Sequence, residues 1–297
     1  MHKHGHGKWA VEKAAKQTDY LVLAATFAIF FGLAGVYFLF SYFSSETFLE
    51  AQYSIAAILA GLIGAFFASL IAFVITLALG MLLVRIQRQV MLGNALQVEY
   101  SDYAWLRDWV NIVARDLEMP HVEVFVTQDP VINAYAFGFI KPYTIVLQSG
   151  SIRYLTHDEL KAVVVHEMGH IKYGHTAASV YLRPFLVIPV INIIGTWIAG
   201  FWQRRTELTC DRLALMYMRD SELVKASLIK VHVGPDVAKS MNDVARQWLQ
   251  YNAERPMNRF AQTFSTHPFL VRRLSHIDQY KNIIEPQQPT AAQSAER

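Results

Sequence analysis

Residues 20–45 read YLVLAATFAIFFGLAGVYFLFSYFSS, and residues 51–84 read AQYSIAAILAGLIGAFFASLIAFVITLALGMLLV. Neither stretch contains Asp, Glu, Lys or Arg. A membrane-spanning helix needs about 20 predominantly apolar residues, so each stretch is long enough to cross a bilayer. A buried soluble helix of this length would normally carry a polar face. The first apolar run is too long for a signal peptide, and no small-residue cleavage site follows it. The linker between them, about Glu46 to Tyr53, is short, which predicts an antiparallel helical hairpin. Small residues recur at four-residue spacing, Ala24, Ala28 and Gly32 in one helix and Ala60, Gly64 and Ala68 in the other. Such rows let helix backbones approach closely in lipid, so these two rows are the expected contact.

The flanks orient the hairpin. Lys3, Lys8, Lys13 and Lys16 precede it and Arg85 and Arg88 follow it, whereas the linker carries Glu46 and Glu50 with no basic residue. By the positive-inside rule both ends, and everything after them, face the cytoplasm.

The composition outside the hairpin is that of an ordinary folded domain. Over the whole chain of 297 residues, 53% are hydrophobic and only 17% are charged, with a net charge of +3. That balance argues against a disordered chain and against nucleic acid as a partner. A single cysteine, Cys210, excludes an internal disulfide framework and a multi-cysteine metal site. Periodicity predicts a helix over 102–117 that ends before Pro120, strands over 122–127 and 144–148, and a helix over 158–173 with Thr156 or His157 at its start. Further helices are expected over 208–218 and 223–231. The fold class is therefore α+β, a membrane hairpin followed by a mainly helical domain with a small sheet. The expected divisions are a tail over 1–19, the hairpin over 20–85, a folded domain over 86–282 and a disordered Pro/Gln/Ala/Ser-rich tail over 283–297.

The chemistry is concentrated in His166-Glu167-Met168-Gly169-His170. Histidines four apart share one face of a helix, so both imidazoles can reach one metal, and Glu167 between them can act on a water held there. Zinc favours such nitrogen ligands. A third ligand is needed. His175 lies about half a turn away from that face and reads as a surface or capping residue. Tyr173 and Thr176 stand where a metzincin would have Gly and His, which excludes that class. Glu207 and Asp211 are four apart in RRTELTCD. That spacing fits a ligand carboxylate with a neighbour hydrogen-bonded to a ligand histidine, and it fits equally a solvated acidic pair beside Arg204 and Arg212.

HEMGH followed by Glu207-x-x-x-Asp211 resembles the gluzincin metallopeptidases. Asn133-Ala134-Tyr135-Ala136-Phe137-Gly138, Asp158-Glu159-Leu160 and Ser265-Thr266-His267-Pro268, with Arg273 six residues after the histidine, narrow the resemblance to the HtpX-like and CaaX prenyl membrane endopeptidases. It covers roughly 102–280. The resemblance implies one Zn²⁺ per chain held by His166, His170 and Glu207, with Asp211 behind a ligand histidine and Glu167 as general base. It also implies that Asn133, Ala134, Tyr135 and Ala136 form a substrate-binding edge. His267 and Arg273 are the candidates to stabilise the oxyanion, the bland reading being a helix cap and a surface ion pair. The implied partners are the lipid bilayer and membrane or misfolded polypeptides, and the implied setting is quality control at a bacterial inner membrane. Phe269, where a second proline is common, and Cys210, where alanine is usual, depart from the pattern without touching the chemistry.

That family commonly has two more spans between the zinc helix and the glutamate. Here residues 184–203 are free of charge, but His170 and Glu207 must meet on one side of the membrane. Too few apolar residues intervene for two full crossings. A membrane-associated helical hairpin bending near Pro184 and Pro189 is expected instead. A different class of function, a zinc-stabilised scaffold or chaperone, would have no need of Glu167. A transporter is disfavoured because neither span carries an internal charge.

Overall fold

A computed structural model describes residues 6–46, 54–139, 141–183, 189–265 and 267–284, with backbone alone over 189–194. Helix α1 (His6–Ala14) precedes α2 (Gln17–Phe43) and α3 (Ile55–Leu92), both long and apolar enough to cross a membrane. Most of their large side chains, Leu21, Phe40, Ile63 and Phe66 among them, are exposed, as expected of a lipid-facing surface.

The two long helices pack as an antiparallel pair, but on a different face from the small-residue rows. Ala24, Ala28, Gly32, Ala60 and Gly64 are exposed, whereas Ala57, Gly61 and Ala65 are buried. The reason is Tyr42. Its ring lies where a side chain on Gly61 would have to go, and its hydroxyl donates to the Ala57 carbonyl at 2.9 Å. A large polar-tipped residue opposite one glycine, rather than two facing rows of small residues, sets the close approach. The linker itself falls largely outside the described residues.

The body that follows the hairpin begins with β1 (Leu96–Gln97) and α4 (Ala104–Asp116). Strands β2 (Val122–Thr127), β3 (Ala134–Phe137) and β4 (Tyr143–Gln148) complete a mixed sheet of order β1-β2-β4-β3. β2 and β4 are parallel, and β3 runs antiparallel to β4 with Ala134 opposite Leu147. The expected helix over 102–117 and both expected strands are present; β1 and β3 are additional. Short α5 (Ser149–Tyr154) leads into α6 (His157–Lys172), the helix expected over 158–173. Its start is set by a capping box: the Thr156 hydroxyl accepts from the Glu159 N–H and the Glu159 carboxylate accepts from the Thr156 N–H.

After α6 come α7 (His175–Leu182) and α8 (Pro189–Met218). Residues 184–188, where the bend was expected, lie outside the described residues. α8 absorbs the helix expected over 208–218 and extends it far upstream. Its upper half packs beside α2 and α7, with Trp202, Phe30, Ala34, Ala178 and Leu182 in one apolar cluster. α9 (Ser221–Val233), α10 (Pro235–Lys239), α11 (Asp243–Glu254), α12 (Pro256–Gln262) and α13 (Leu270–Tyr280) finish the chain. Residues 1–19, expected as a tail, include α1, whose Ala10 and Ala14 are fully buried in the main core. Residues 285–297 lie outside the described residues.

Asp19, in the first turn of α2, ties the membrane hairpin to α8. It is buried and accepts hydrogen bonds from the Thr209 hydroxyl at 2.6 Å and from Arg205 Nε at 2.9 Å. The helix that carries Glu207 is thereby anchored directly to the first span.

Candidate metal centre

Two helices build the centre, and a glycine lets them meet. A Cβ on Gly169 would stand 3.0 Å from Cys210 Sγ and 3.1 Å from Leu213 Cδ2, so the bare backbone lets α6 lie against α8 without those side chains having to shift. Four residues apart on α6, His166 and His170 present Nε2 atoms 3.3 Å from each other. Glu207 on α8 reaches both: Oε2 is 3.4 Å from His166 Nε2 and Oε1 is 3.4 Å from His170 Nε2. The Glu207 carboxylate thus completes a group of three donors around the two facing imidazole nitrogens. Two nitrogens and a carboxylate oxygen converging on one point are a donor set that suits a divalent metal such as zinc.

The surroundings position those three residues. His166 Nδ1 lies 3.0 Å from Asp211 Oδ1, close but without good hydrogen-bond alignment. Arg273, on α13, donates from Nε and Nη2 to Asp211 at 2.8 and 2.6 Å, and its Nη1 is 3.2 Å from Glu207 Oε2. Both carboxylates are nearly or fully buried. Burial works against their charge, but the Arg273 guanidinium outweighs it, holding Asp211 down at about 2 and Glu207 well below the usual carboxylate range. Burial likewise opposes charge on His166, yet Asp211 and Glu207 raise it to about 10 in the absence of a metal. Glu167 is half-buried. Burial pushes its carboxyl above the usual range, and the charges of His170 and His166 partly offset that.

His267 precedes α13 and is exposed, with Nδ1 3.3 Å from Glu207 Oε1. Its neighbour Thr266 lies outside the described residues. A cleft of about 400 Å³ opens over the centre, lined by Asn133, Ala134, Glu167, His232 and His267 among others. Asn133 is fixed by its backbone: its N–H donates to Ser151 Oγ at 2.9 Å and its carbonyl accepts from the same hydroxyl at 2.8 Å. Strand β3 then runs away from the centre along the edge of the sheet. Of the four residues expected along this edge, Asn133 and Ala134 line the cleft. The Tyr135 hydroxyl instead accepts from Gln148 Nε2 at 2.6 Å, and Ala136 lines a separate cavity.

His175 is the clearest surprise. It is buried rather than on the surface, with Nδ1 3.6 Å from Cys210 Sγ and its ring against Trp202. Burial, and then the neighbouring His170, lowers it to about 2, so it stays neutral. His232 entered the cleft unannounced as well; an isolated histidine in an apolar helix carries no spacing signal that could have placed it there.

Residues 101–281 match the sequence profile of Peptidase family M48. Among similar proteins, the plastoglobule-localized metallopeptidase 48 of Arabidopsis thaliana chloroplasts is 31% identical over 217 residues, covering 65% of this chain and 62% of that protein. A protease HtpX homolog of Fusobacterium nucleatum is 23% identical over 210 residues, covering 58% of this chain and 67% of its own length. The crystal structure of Ste24p from S. mikatae aligns with a TM-score of 0.47 at 18% identity, over 79% of this chain and 67% of that one. The chain thus spans somewhat under two thirds of the plant relative.

Proposed function

This chain belongs to peptidase family M48, and from that premise we propose that it is a membrane-bound zinc endopeptidase that cleaves membrane or misfolded proteins. The observation that carries the reading is the convergence of His166 Nε2, His170 Nε2 and the Glu207 carboxylate beside an open cleft that His166, Glu167 and Glu207 line. When bound, zinc would polarise the peptide carbonyl and make water more acidic. His166, His170 and Glu207 would hold it. Asn133 and Ala134 would align an extended peptide along β3, where main-chain hydrogen bonds recognise a strand with little regard to its side chains. Such tolerance suits an enzyme of quality control. Glu167 would take the proton from the attacking water and pass it to the leaving amine, a role helped by burial making its carboxyl more basic. Casein cleavage by the purified full chain tests the reading: activity should vanish with a chelator and return with Zn²⁺. Cleavage that persists after complete metal removal would refute it.

His267 and Arg273 would have different tasks. His267 is exposed at the cleft with one ring nitrogen turned to Glu207, leaving the other for a substrate oxyanion. Arg273 is buried, and its Nε, Nη1 and Nη2 are directed at Asp211 and Glu207. It would therefore hold the two carboxylates rather than donate to substrate. His267→Phe should keep its metal and lose on the order of 10² in kcat. Arg273→Leu, which strands two buried carboxylates, should instead weaken metal affinity by about 10–100-fold. Equal metal retention in the two variants would remove the distinction.

We place the site on the cytoplasmic side of a bacterial inner membrane, on the strength of the basic flanks at Lys13, Lys16, Arg85 and Arg88. A periplasm-active reporter should respond when inserted in residues 46–53 and stay silent near Val190. A strong periplasmic signal at Val190 would mean that the start of α8 crosses the membrane.

A further inference from the structure

A second cavity, of about 240 Å³, lies where the membrane hairpin meets the cytoplasmic body. One wall is the last part of α3, with Val84, Arg85 and Arg88; a second is α7 with Thr176, Ser179 and Arg183; a third is the end of β3 with Phe137 and Phe139. Three guanidinium-bearing residues line it, and no carboxylate among the described residues does. Arg88 is partly committed, with Nη2 3.1 Å from Glu123 and 2.8 Å from the Thr144 hydroxyl. Arg85 and Arg183 are exposed and have no ion-pair partner among the described residues. Thr176 adds a buried hydroxyl without a hydrogen-bond partner.

The depth of this cavity follows from the packing of the hairpin. The Tyr42 hydroxyl bonds to Ala57, and the rings of Phe31 and Phe73 lie 5.2 Å apart. With equal rise per residue in both helices, the same antiparallel register brings Arg85 level with the start of α2. Arg183 sits against the same helix, its Cβ 4.0 Å from the position a Cβ on Gly80 would take. The cavity therefore lies at the polar boundary of the bilayer. It joins a cationic rim to apolar walls of Val84, Phe137, Phe139 and Val180. Of the three guanidiniums only Arg88 is ion-paired among the described residues; the like charges of Arg85 and Arg183 in one concave site repel one another, and an anion relieves that repulsion. Arginine is also well suited to phosphate, because its planar fork offers paired N–H donors.

We propose that this cavity binds a phosphate-bearing anion, held by Arg85 and Arg183 with Arg88 beside them. The apolar walls and the depth make a phospholipid headgroup one source of that phosphate; free phosphate is the other. The site is separate from the metal centre and stands or falls independently of peptidase activity.

The test uses the purified full chain in neutral detergent, offered equal amounts of phosphatidylglycerol and phosphatidylcholine, with retained lipid read by native mass spectrometry. The wild type should retain phosphatidylglycerol in preference. Arg85→Gln/Arg183→Gln should lower that preference by about 30-fold, as expected for two basic residues at a membrane surface. Arg85→Lys/Arg183→Lys keeps the charge and should keep most of the preference, which guards against a loss caused by misfolding. Inorganic phosphate distinguishes the sources. If millimolar phosphate binds the wild type, displaces the lipid and fails to bind the Gln variant, free phosphate is a ligand of the site. If it leaves the retained lipid unchanged, the lipid is. The proposal is overturned if the Gln variant keeps the wild-type preference. It is equally overturned if the wild type neither prefers the anionic lipid nor binds phosphate.

Discussion

Glu167→Gln should lower the rate of peptide hydrolysis by a factor of 10² or more while the metal content of the protein stays unchanged. The residue stands between the two histidines on α6 and lines the same cleft as His166, but belongs to neither of the helix faces that pack inward. Glutamine has the same shape and preserves the helix, the cleft and the donor set. What it cannot do is accept a proton. A water attacking a peptide carbonyl must lose one, and the departing amine must gain one, so a single carboxyl that takes and returns the proton serves both steps. Burial raises the carboxyl of Glu167 above its ordinary range, with the charges of His170 and His166 holding the rise in check. A carboxyl made more basic in this way is the better proton acceptor when ionised. Single-turnover cleavage of casein, together with metal analysis of the same preparation, gives the answer. A variant with normal turnover would remove Glu167 from the mechanism. A wild-type protein that binds zinc and never cleaves would favour the scaffold or chaperone reading, in which this carboxylate has no task.

The parts of the molecule most legible in its sequence are those fixed by local chemistry. Two runs without charge announce the long helices; Thr156 or His157 announces the start of α6; alternation in 122–127 announces β2. The donor histidines were equally plain, because four-residue spacing on a helix is itself a geometry. What escaped depends on partners distant in sequence. The small-residue rows of α2 and α3 were assigned to the wrong face because the close approach is made by Tyr42 over Gly61, and nothing in either helix alone says which face a tyrosine will cover. Strand β3, Ala134 to Phe137, has two alanines in four residues and weak strand character, and it exists because β4 offers it a ladder. Helix α1 looked like a charged tail, but its Gly7, Ala10 and Ala14 fit against α4 and α8. His175 stands on a new helix after a break at Gly174, which has φ +70°. The projection that put it on the surface assumed that α6 continued.

The ligand set is where residues of different character compete most closely. The nitrogen atoms of His166 and His170 and the sulfur of Cys210 all lie within 4.8 Å of one another, so a His/His/Cys centre is conceivable beside the His/His/Glu centre. Their chemistry differs. A cysteine ligates as the thiolate, and Cys210 is fully buried with Glu207, Glu167 and Asp211 as neighbours. Burial first, and those carboxylates next, push its thiol well above the ordinary range, and Sγ is within contact of His175 Nδ1. Glu207 is already in the state a ligand needs. Against the effect of burial, Arg273 and the hydrogen bonds from His166 and His170 keep it ionised. Its two oxygens lie at equal distances from the two histidine nitrogens. Glu207→Ala and His166→Ala should therefore reduce bound zinc from one per chain to near none, a loss of affinity of at least about 100-fold, beyond that for removing a supporting hydrogen-bond partner. Cys210→Ser should retain full stoichiometry, and X-ray absorption at the zinc edge should show nitrogen and oxygen neighbours without sulfur. Normal zinc in Glu207→Ala, or its loss in Cys210→Ser with the fold intact, would transfer the third ligand position from the carboxylate to the thiol.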